Sequence, residues 1–458
     1  MRRSGAPWLA LMALLTVIHL LEPLPALVWG AAGCAAVFLA LEHRHVPPSI
    51  RRPSLLLCVL ALALVAFTHV PLESLRRGIA IGALMASLIS SVTLLARAVL
   101  RSKGSQALAA HLLRQQAPAR CASFALACQL FGGLLGLAGV SMLLEIASRS
   151  DAADPERLPV FAAIMRSFSA ATLWSPMFSN VSILLALYPG LTWFSLLPLC
   201  VGMAAATVAM VLAMDWLRLR GRRAPPAAAR GAAQDARALR ELLPMLGCMG
   251  GFLALVVLLG WLLHIAVAGA IVLLVPFAAL AVNALQAPPG ARRLRTGLQE
   301  LRADVGRLPL LAGEVALFMA AGCSGTVIAS AVPTAWTQAV AQWVQPYPVL
   351  ACAALMLSVV MLSFMAVHPV LSVVFVATCF PPVLVGLPVA PHVLSILVGW
   401  SVSGTVSPFS MLSLMASRYA GVSIYAVSIR ANHRFALLCA LIAAVALGLL
   451  ATPWHPHS

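Results

Sequence analysis

Apolar residues occupy most of the chain in long runs, and short polar stretches separate these runs. Crossing a bilayer takes about 20 apolar residues in a helix, and runs of spanning length recur from one end of the chain to the other. The first four runs cover residues 9–21, 26–41, 55–70 and 79–100. The pattern predicts an all-α polytopic membrane protein with roughly 10–12 membrane segments and no soluble domain.

Two polar interruptions inside apolar runs have similar sequences. Ser175 begins Ser-Pro-Met-Phe-Ser-Asn, and Ser407 begins Ser-Pro-Phe-Ser-Met. With their phenylalanines aligned, the similarity continues without a gap to Tyr188 and Tyr419. Proline breaks the hydrogen-bond ladder of a helix, and lipid cannot satisfy the freed carbonyls, so such breaks face protein or a wet cavity. Two breaks at matching places in two halves indicate the central site of a secondary transporter.

Each half also contains a small-residue stretch that suits a helical hairpin. Residues 122–146 include four glycines, which favour either close helix packing or a re-entrant hairpin. Residues 315–332, with Gly-Cys-Ser-Gly-Thr at 322–326, are the second hairpin candidate. The basic segments 102–120 and 292–307 precede these stretches and are predicted to be amphipathic arms. The predicted order in each half is therefore arm, hairpin, broken helix and spanning helix.

This order divides the chain into six parts. They are N-terminal membrane spans (1–98), a first repeat (99–216), a basic cytoplasmic linker (217–241), connecting spans (242–286), a second repeat (287–452) and a C-terminal tail (453–458).

The order resembles that of the ion transporter superfamily of secondary carriers, which includes arsenite permeases, divalent-anion/sodium symporters and the large membrane subunits of tripartite transporters. The resemblance covers residues 80–450 and lies in architecture more than in motifs. It implies inverted repeats and a site where hairpin tips adjoin helix breaks. In the divalent-anion symporters, Ser-Asn-Thr motifs hold substrate carboxylates there. The nearest equivalents in this chain are Ser-Gly-Thr at 324–326 and at 403–405, both without the asparagine.

Hydroxyl groups near the breaks are the main candidates for binding a solute. A broken helix presents unpaired N–H groups that attract anions and unpaired carbonyls that attract Na⁺ or H⁺, and hydroxyls serve either. The candidate substrate- and ion-binding residues are Thr172, Ser175, Ser179, Asn180, Ser324, Thr326, Thr405, Ser407, Ser410 and Arg166. The alternative is that these hydroxyls bond to i−4 carbonyls inside ordinary kinked helices.

Two ionisable residues within apolar segments have alternative interpretations. Arg166 either attracts an anionic substrate, neutralises Glu145, or extends to the membrane interface. His368 is a candidate for proton coupling, and its alternative role is that of a packed structural residue.

The chain carries 30 Lys and Arg against 13 Asp and Glu, a net charge of +17. The basic residues cluster at 44–52, 101–120, 218–240 and 292–307, which the positive-inside rule places in the cytoplasm. This orientation signal accounts for the positive charge, so the charge does not indicate nucleic-acid binding. The acidic segment 148–157 lacks such an excess and is predicted on the opposite, periplasmic side. The ten cysteines are scattered, without a Cys-x-x-Cys pair, and are predicted to pack as small apolar residues and to hold no metal.

The sequence therefore predicts a multi-pass protein of the bacterial inner membrane. Its predicted function is secondary active transport of a small solute, an organic anion, by alternating access with H⁺ or Na⁺ coupling. No cofactor and no enzymatic activity are expected. The partners are the lipid bilayer and the solute, with a second copy of the chain or a periplasmic binding protein as further candidates. Alternative functions are a subunit of a multi-component transporter, a non-transporting scaffold, or an intramembrane serine protease using Ser324 and His368.

Overall fold

The computed structural model describes residues 5–115, 119–151, 154–220, 232–288 and 290–452; within the fourth range, residues 232–239, 241, 242 and 245 are described by backbone alone. Throughout these ranges the regular structure is helical, with no strand. Ten helical segments of the described part are long and apolar enough to cross a membrane. The predicted all-α polytopic membrane fold is confirmed.

The described residues of the first half of the chain form nine α-helices. These are α1 (Ala6–Leu21), α2 (Pro25–Leu41), α3 (Pro48–Phe67), α4 (Leu72–Leu100), α5 (Lys103–Arg114), α6 (Ala119–Ser148), α7 (Arg157–Trp174), α8 (Ser179–Leu187) and α9 (Trp193–Leu219). The described residues of the second half form α10 (Ala232–Leu263), α11 (Val267–Leu285), α12 (Arg293–Val305), α13 (Ala312–Ala331), α14 (Thr334–Val344), α15 (Pro348–Phe364), α16 (Pro369–Cys379), α17 (Pro382–Val385), α18 (Val389–Val406), α19 (Met411–Ala420) and α20 (Ala431–Ala451).

Both predicted helix breaks are present. Helix α7 ends at Trp174 and α8 begins at Ser179, while α18 ends at Val406 and α19 begins at Met411. The first residue after each helix, Ser175 or Ser407, has an extended backbone and precedes the proline. This is the conformation that proline imposes on the residue before it.

The glycine-rich helix α6 is a helical hairpin, which we call hairpin 1. Its backbone leaves the helical region at Gly136, at φ 62° and ψ −145°. A Cβ atom added to Gly139 would lie 2.1 Å from the carbonyl oxygen of Phe131, whereas residues eight apart in a straight helix are about 12 Å apart. The chain therefore turns back on itself. Both ends of hairpin 1 lie together, because Arg120 near its start forms an ion pair of 2.5 Å with Asp154 just after its end.

The second hairpin is not where the sequence predicted it. Residues 315–332 fall in the continuous helix α13, so the hairpin predicted there is wrong. Its glycines serve close helix packing instead: a Cβ added to Gly322 would lie 2.6 Å from the carbonyl oxygen of Gly78 and 2.9 Å from the Cα of Gly82, both in α4. The actual hairpin 2 consists of α15 and α16, which pack together and are joined by a turn with Ala366 at φ 61°. The short helix α14, not the predicted basic segment at 292–307, directly precedes it.

The two broken helices run in opposite directions. Arg157, at the start of α7, donates a hydrogen bond of 3.2 Å to the carbonyl of Tyr419, near the end of α19. The hydroxyl of Tyr188, which follows α8, lies 3.3 Å from Nδ1 of His392, near the start of α18. The two Ser-Pro segments therefore run antiparallel to each other. We call the end of the molecule at Arg157 the A face and the end at Tyr188 the B face.

The hairpins enter from opposite faces. Hairpin 1 starts and ends at the A face, next to Arg157. Hairpin 2 starts and ends at the B face: the carbonyl of Phe380, just after α16, accepts a hydrogen bond of 2.7 Å from Nε2 of His392. At its other end, a Cβ added to Gly448, near the end of α20, would lie 2.5 Å from the side chain of Val349 in α15.

The described basic clusters lie at the A face. Helix α4 starts at the B face, where Arg77 donates to the carbonyl of Leu187 (3.0 Å), and its 29 residues span about 43 Å. Its far end, Arg101, forms an ion pair of 2.6 Å with Asp304 of the basic segment 292–307. Residues 221–231 of the predicted cytoplasmic linker lie outside the described residues.

The acidic segment 148–157 is also at the A face, so its prediction on the opposite side is wrong. Its carboxylates pair with the basic residues of that face: Asp154 with Arg120 at 2.5 Å, and Glu156 with Arg218 at 2.5 Å. Partial burial raises the pKa of Asp154, but hydrogen bonds from the Glu156 N–H and from Arg120 outweigh burial, and the pKa lies below its usual value.

Helix packing separates two groups of helices. One group, the broken-helix bundle, contains hairpin 1, α7, α8, α9, hairpin 2, α18, α19 and α20. The other, the outer bundle, contains α1–α4 and α10–α13. The two bundles meet where α4 packs against α6 and α8 and where α13 packs against α16. The breaks thus lie in the first of these two groups of helices.

Candidate functional site

The first break is tied to the tip of hairpin 1 by Ser175. The hydroxyl of this fully buried serine donates a hydrogen bond to the carbonyl of Gly133 and accepts one of 3.2 Å from the N–H of Met177. Proline at position 176 has no N–H to satisfy. One hydroxyl thus pairs a hairpin carbonyl and an N–H freed by the break.

The second break repeats this arrangement. The hydroxyl of Ser407, also fully buried, donates to the carbonyl of Ser363 at the tip of hairpin 2 (2.9 Å) and accepts the N–H of Phe409 (3.2 Å). The alternative in which these serines bond to i−4 carbonyls of their own helix is wrong for both. Each Ser-Pro pair joins a helix break to the tip of its own repeat's hairpin.

The two broken helices contact each other through hydroxyl groups. Thr172 donates to the carbonyl of Ser169 (2.8 Å), and Thr405 donates in the same way to Val402 (2.8 Å). The hydroxyl of Thr172 also lies 2.8 Å from that of Ser401 in α18. All of these side chains are in the protein interior, so the ends of α7 and α18 share a polar centre in an apolar bundle.

The second segment of each broken helix starts at this centre. Helix α8 begins with Ser179 and Asn180 and has no side-chain cap, whereas Ser410 caps α19 by accepting the N–H of Ser413 (3.0 Å). Ser410 also donates to the carbonyl of Gly404 (2.7 Å). The first N–H groups of a helix carry partial positive charge, so both starts favour a negatively charged group nearby.

Ser324 and Thr326 do not join the breaks. Both lie in α13 of the outer bundle, where Ser324 donates to the carbonyl of Ala320 (2.7 Å) and Thr326 donates to that of Ser74 in α4 (2.7 Å). Their expected position at a hairpin tip is wrong, because the chain forms a continuous helix there. The hydroxyl of Ser324 is thus bonded to a backbone carbonyl of its own helix.

Arg166 holds two helices together. Its Nε donates to Oδ1 of Asn432 (2.8 Å), another guanidinium nitrogen donates to the carbonyl of Ala431 (2.5 Å), and the group lies 5.7 Å from the ring centre of Phe435. These partners all belong to α20. Arg166 therefore points away from the breaks, and Glu145, its alternative partner, pairs with Arg149 instead (2.9 Å).

His368 lies at the tip of hairpin 2. Its Nδ1 accepts the N–H of Val370 (3.3 Å), which caps the start of α16, and its ring lies edge-on to Phe318, with the ring centres 6.0 Å apart. These contacts correspond to the structural interpretation of this residue. It is nevertheless close along the chain to Ser363, the partner of Ser407.

Sequence reasoning missed four participants in the centre: Gly133, Ser169, Ser363 and Ser401. Gly133 and Ser363 contribute backbone carbonyls, which leave no mark in a sequence. Ser401 lies six residues before Ser407, and Ser169 lies six before Ser175, so the matched spacing could have revealed this pair.

The centre contains hydroxyls, an amide and helix ends, and the serines and threonines at its core bear no formal charge. Nowhere in the described residues do three or more His, Cys, Asp or Glu side chains gather as metal ligands. A separate cleft of about 420 Å³ opens at the B face, away from the breaks. It is lined by residues that include Ala329, Thr334, Thr337, Gln338, Gln345 and Thr378.

A scan of protein-family models finds no match to this chain, and a search of curated proteins also finds none.

Proposed function

We propose that this protein is a secondary active transporter of a small solute and works by alternating access. The supporting observation is the inverted pair of Ser-Pro breaks, each bonded to the tip of a hairpin that enters from its own face. Inverted repeats with broken helices at their interface are typical of secondary transporters. The broken-helix bundle would carry the solute, and the outer bundle would be the scaffold against which it moves.

The chemistry of the centre favours a small organic anion. The starts of α8 and α19 provide N–H groups for an anionic oxygen, and the ends of α7 and α18 provide carbonyls for Na⁺ or a hydrated proton. Hydroxyls such as Thr172 and Thr405 serve either species. By the positive-inside rule, we assign the basic A face to the cytoplasmic side, in what we propose is a bacterial inner membrane.

The decisive experiment is uptake by the purified full chain in proteoliposomes. Radiolabelled mono-, di- and tricarboxylates are supplied under an imposed Na⁺ or pH gradient. We expect one class to accumulate only with one gradient, and Ser175→Ala plus Ser407→Ala to lower the rate at least tenfold. Ser358→Ala is the matched control, because that serine bonds to Ala354 inside α15 and not to a break.

A binding measurement separates a transport defect from a folding defect. A transported carboxylate should raise the midpoint of thermal unfolding of the wild type as its concentration rises, and this shift should be lost in the double variant. If no carboxylate is taken up under either gradient and none produces a thermal shift, the organic-anion transporter is overturned. A subunit or scaffold role would then be favoured.

A further inference from the structure

The amphipathic helix α12 is held against the end of α11 at the A face. Gly297 is its contact point: a Cβ added there would lie 3.1 Å from the carbonyl oxygen of Leu280 and 3.1 Å from the Cβ of Ala284. The absence of a side chain therefore lets the two backbones approach closely.

A second contact holds α12 at the A face. Asp304 lies seven residues after Gly297, which is about 10 Å further along a helix. Arg101 donates to both carboxylate oxygens of Asp304 (2.9 and 2.6 Å) and also to Oδ1 of Asn283 (2.9 Å), in the same turn of α11 that Gly297 contacts. Helix α12 therefore packs against the end of α11 and stays beside Arg101 at the A face.

The orientation of α12 around its own axis is fixed as well. Asp304 is 1% exposed and faces inward with Gly297. The side chains of Leu294 and Leu298, one turn apart, are 64% and 39% exposed. An outward apolar stripe on a polar helix at the end of a membrane bundle meets the boundary between lipid headgroups and acyl chains.

Basic side chains border this stripe. Arg295 and Arg302 are exposed and, two turns apart, lie on the same side of the helix next to Leu298. Among the described residues neither forms an ion pair, whereas Arg101 on the inner side has its carboxylate. Arg292 and Arg293 add further positive charge at the start of the helix.

We propose that α12 binds anionic phospholipids at the A face. Leu294 and Leu298 enter the acyl boundary, while the guanidinium groups of Arg295 and Arg302 bind lipid phosphates through paired N–H donors. The charge of the ligand is set by the free arginines, and its apolar part by the leucine stripe beside them. A soluble anion would account for the free arginines but not for the exposed leucine stripe.

The test uses the purified full chain in a neutral detergent. Phosphatidylglycerol or phosphatidylcholine is titrated, and bound lipid is counted by native mass spectrometry. The wild type should bind phosphatidylglycerol more tightly. Arg295→Gln plus Arg302→Gln should weaken that affinity about 10- to 30-fold and leave phosphatidylcholine binding unchanged, while the two lysine substitutions should retain most of it. Arg149→Gln, which removes an exposed arginine already paired with Glu145, should behave as wild type.

Three outcomes would overturn the proposal. The first is equal affinity of the wild type for both lipids, and the second is unchanged phosphatidylglycerol affinity in the glutamine variant. The third is complete competition by inorganic phosphate, which would indicate a soluble-anion site. If the double variant does not fold, each single glutamine substitution at these exposed positions should still weaken binding about fivefold.

Discussion

The two helix breaks have the same hydrogen bonds and different surroundings. Ser175 and Ser407 each join a hairpin carbonyl to an N–H beyond the proline. Yet Phe178 at the first break is 8% exposed, and Phe409 at the second is 56% exposed. Within a bilayer, an unpaired carbonyl must find a donor, so the polar bonds are constrained in both repeats. The apolar neighbours carry no such constraint and differ between the two breaks.

The hairpin tips differ in the same sense. Both turn through a residue in the left-handed region, Gly136 at φ 62° and Ala366 at φ 61°. In hairpin 1 a Cβ added to Gly133 would lie 3.0 Å from the Trp174 ring, so the glycine tip is packed under an aromatic side chain. In hairpin 2 the tip residue Met365 is 71% exposed. The apolar side chains beside the first break are thus enclosed by protein, and those beside the second are exposed.

The largest expected effect is at the tip of hairpin 1. Gly139→Val places a Cβ 2.1 Å from the Phe131 carbonyl, a backbone atom that cannot move aside, so the hairpin cannot close. We expect no monodisperse protein in size-exclusion chromatography after detergent extraction. Gly404→Ala, beside the second break, is the control: no atom lies within 4 Å of the added Cβ, and the variant should fold as wild type. A well-folded Gly139→Val protein would refute the hairpin geometry.

The two phenylalanines test the difference in packing directly. Phe178 packs edge-on against Phe168, with ring centres 5.1 Å apart, and Phe178→Ala should destabilise the protein by about 3–5 kcal/mol through the cavity it leaves. Phe409→Ala removes an exposed ring and should cost no more than about 1 kcal/mol. Denaturant unfolding in detergent measures both free energies. Equal losses would mean that the second break is also enclosed in the folded protein.

The two serines test what the breaks share. Ser175→Ala and Ser407→Ala each leave a hairpin carbonyl and an N–H without their partner, which costs about 1–3 kcal/mol for buried groups. Because both serines are fully buried, we expect similar losses of unfolding free energy. Ser358→Ala, whose hydroxyl bonds only within α15, should lose less. A loss confined to one break would show that the repeated bonds are not equivalent in strength.

The sequence predicted the features that depend on local chemistry. The length of apolar runs located α1 to α4, and the prolines located both breaks, because missing N–H donors act wherever they occur. Hairpin 2 was missed because its turn, from Ser363 to His368, contains no glycine. The glycines of α13 were misread, since close packing against α4 and a hairpin turn favour the same residue.

The candidate site was predicted only in part, for a related reason. Ser175 and Ser407 lie at the breaks because their prolines put them there. The partners of Arg166 and Thr326 come from helices distant in sequence, Asn432 in α20 and Ser74 in α4. No local pattern identifies such a partner, and an arginine within an apolar segment appears equally suited to a substrate or to a neighbouring helix.

The smallest expected difference in unfolding free energy is between variants of the two tyrosines that join the repeats at opposite faces. Tyr188 places its hydroxyl 3.3 Å from both His392 Nδ1 and the Ala377 carbonyl, whereas Tyr419 reaches the hydroxyl of Ser141 at 3.2 Å. His392 is fully buried, so Tyr188→Phe leaves buried polar groups unpaired and should cost about 1 kcal/mol.

Tyr419→Phe should cost less, because both partners are partly exposed and water at the A face can replace the lost bond. Hydrogen–deuterium exchange measures the difference locally. Amides of α8 should exchange faster in Tyr188→Phe than amides of α19 do in Tyr419→Phe. Faster exchange in α19 than in α8 would mean that the contact at the A face holds the repeats together more strongly. The greater exposure of the second break would then not reflect a weaker contact between the repeats. The two tyrosine variants thus measure how strongly the repeats are held together. The phenylalanine variants alone do not separate this strength from the exposure of the side chains at the breaks.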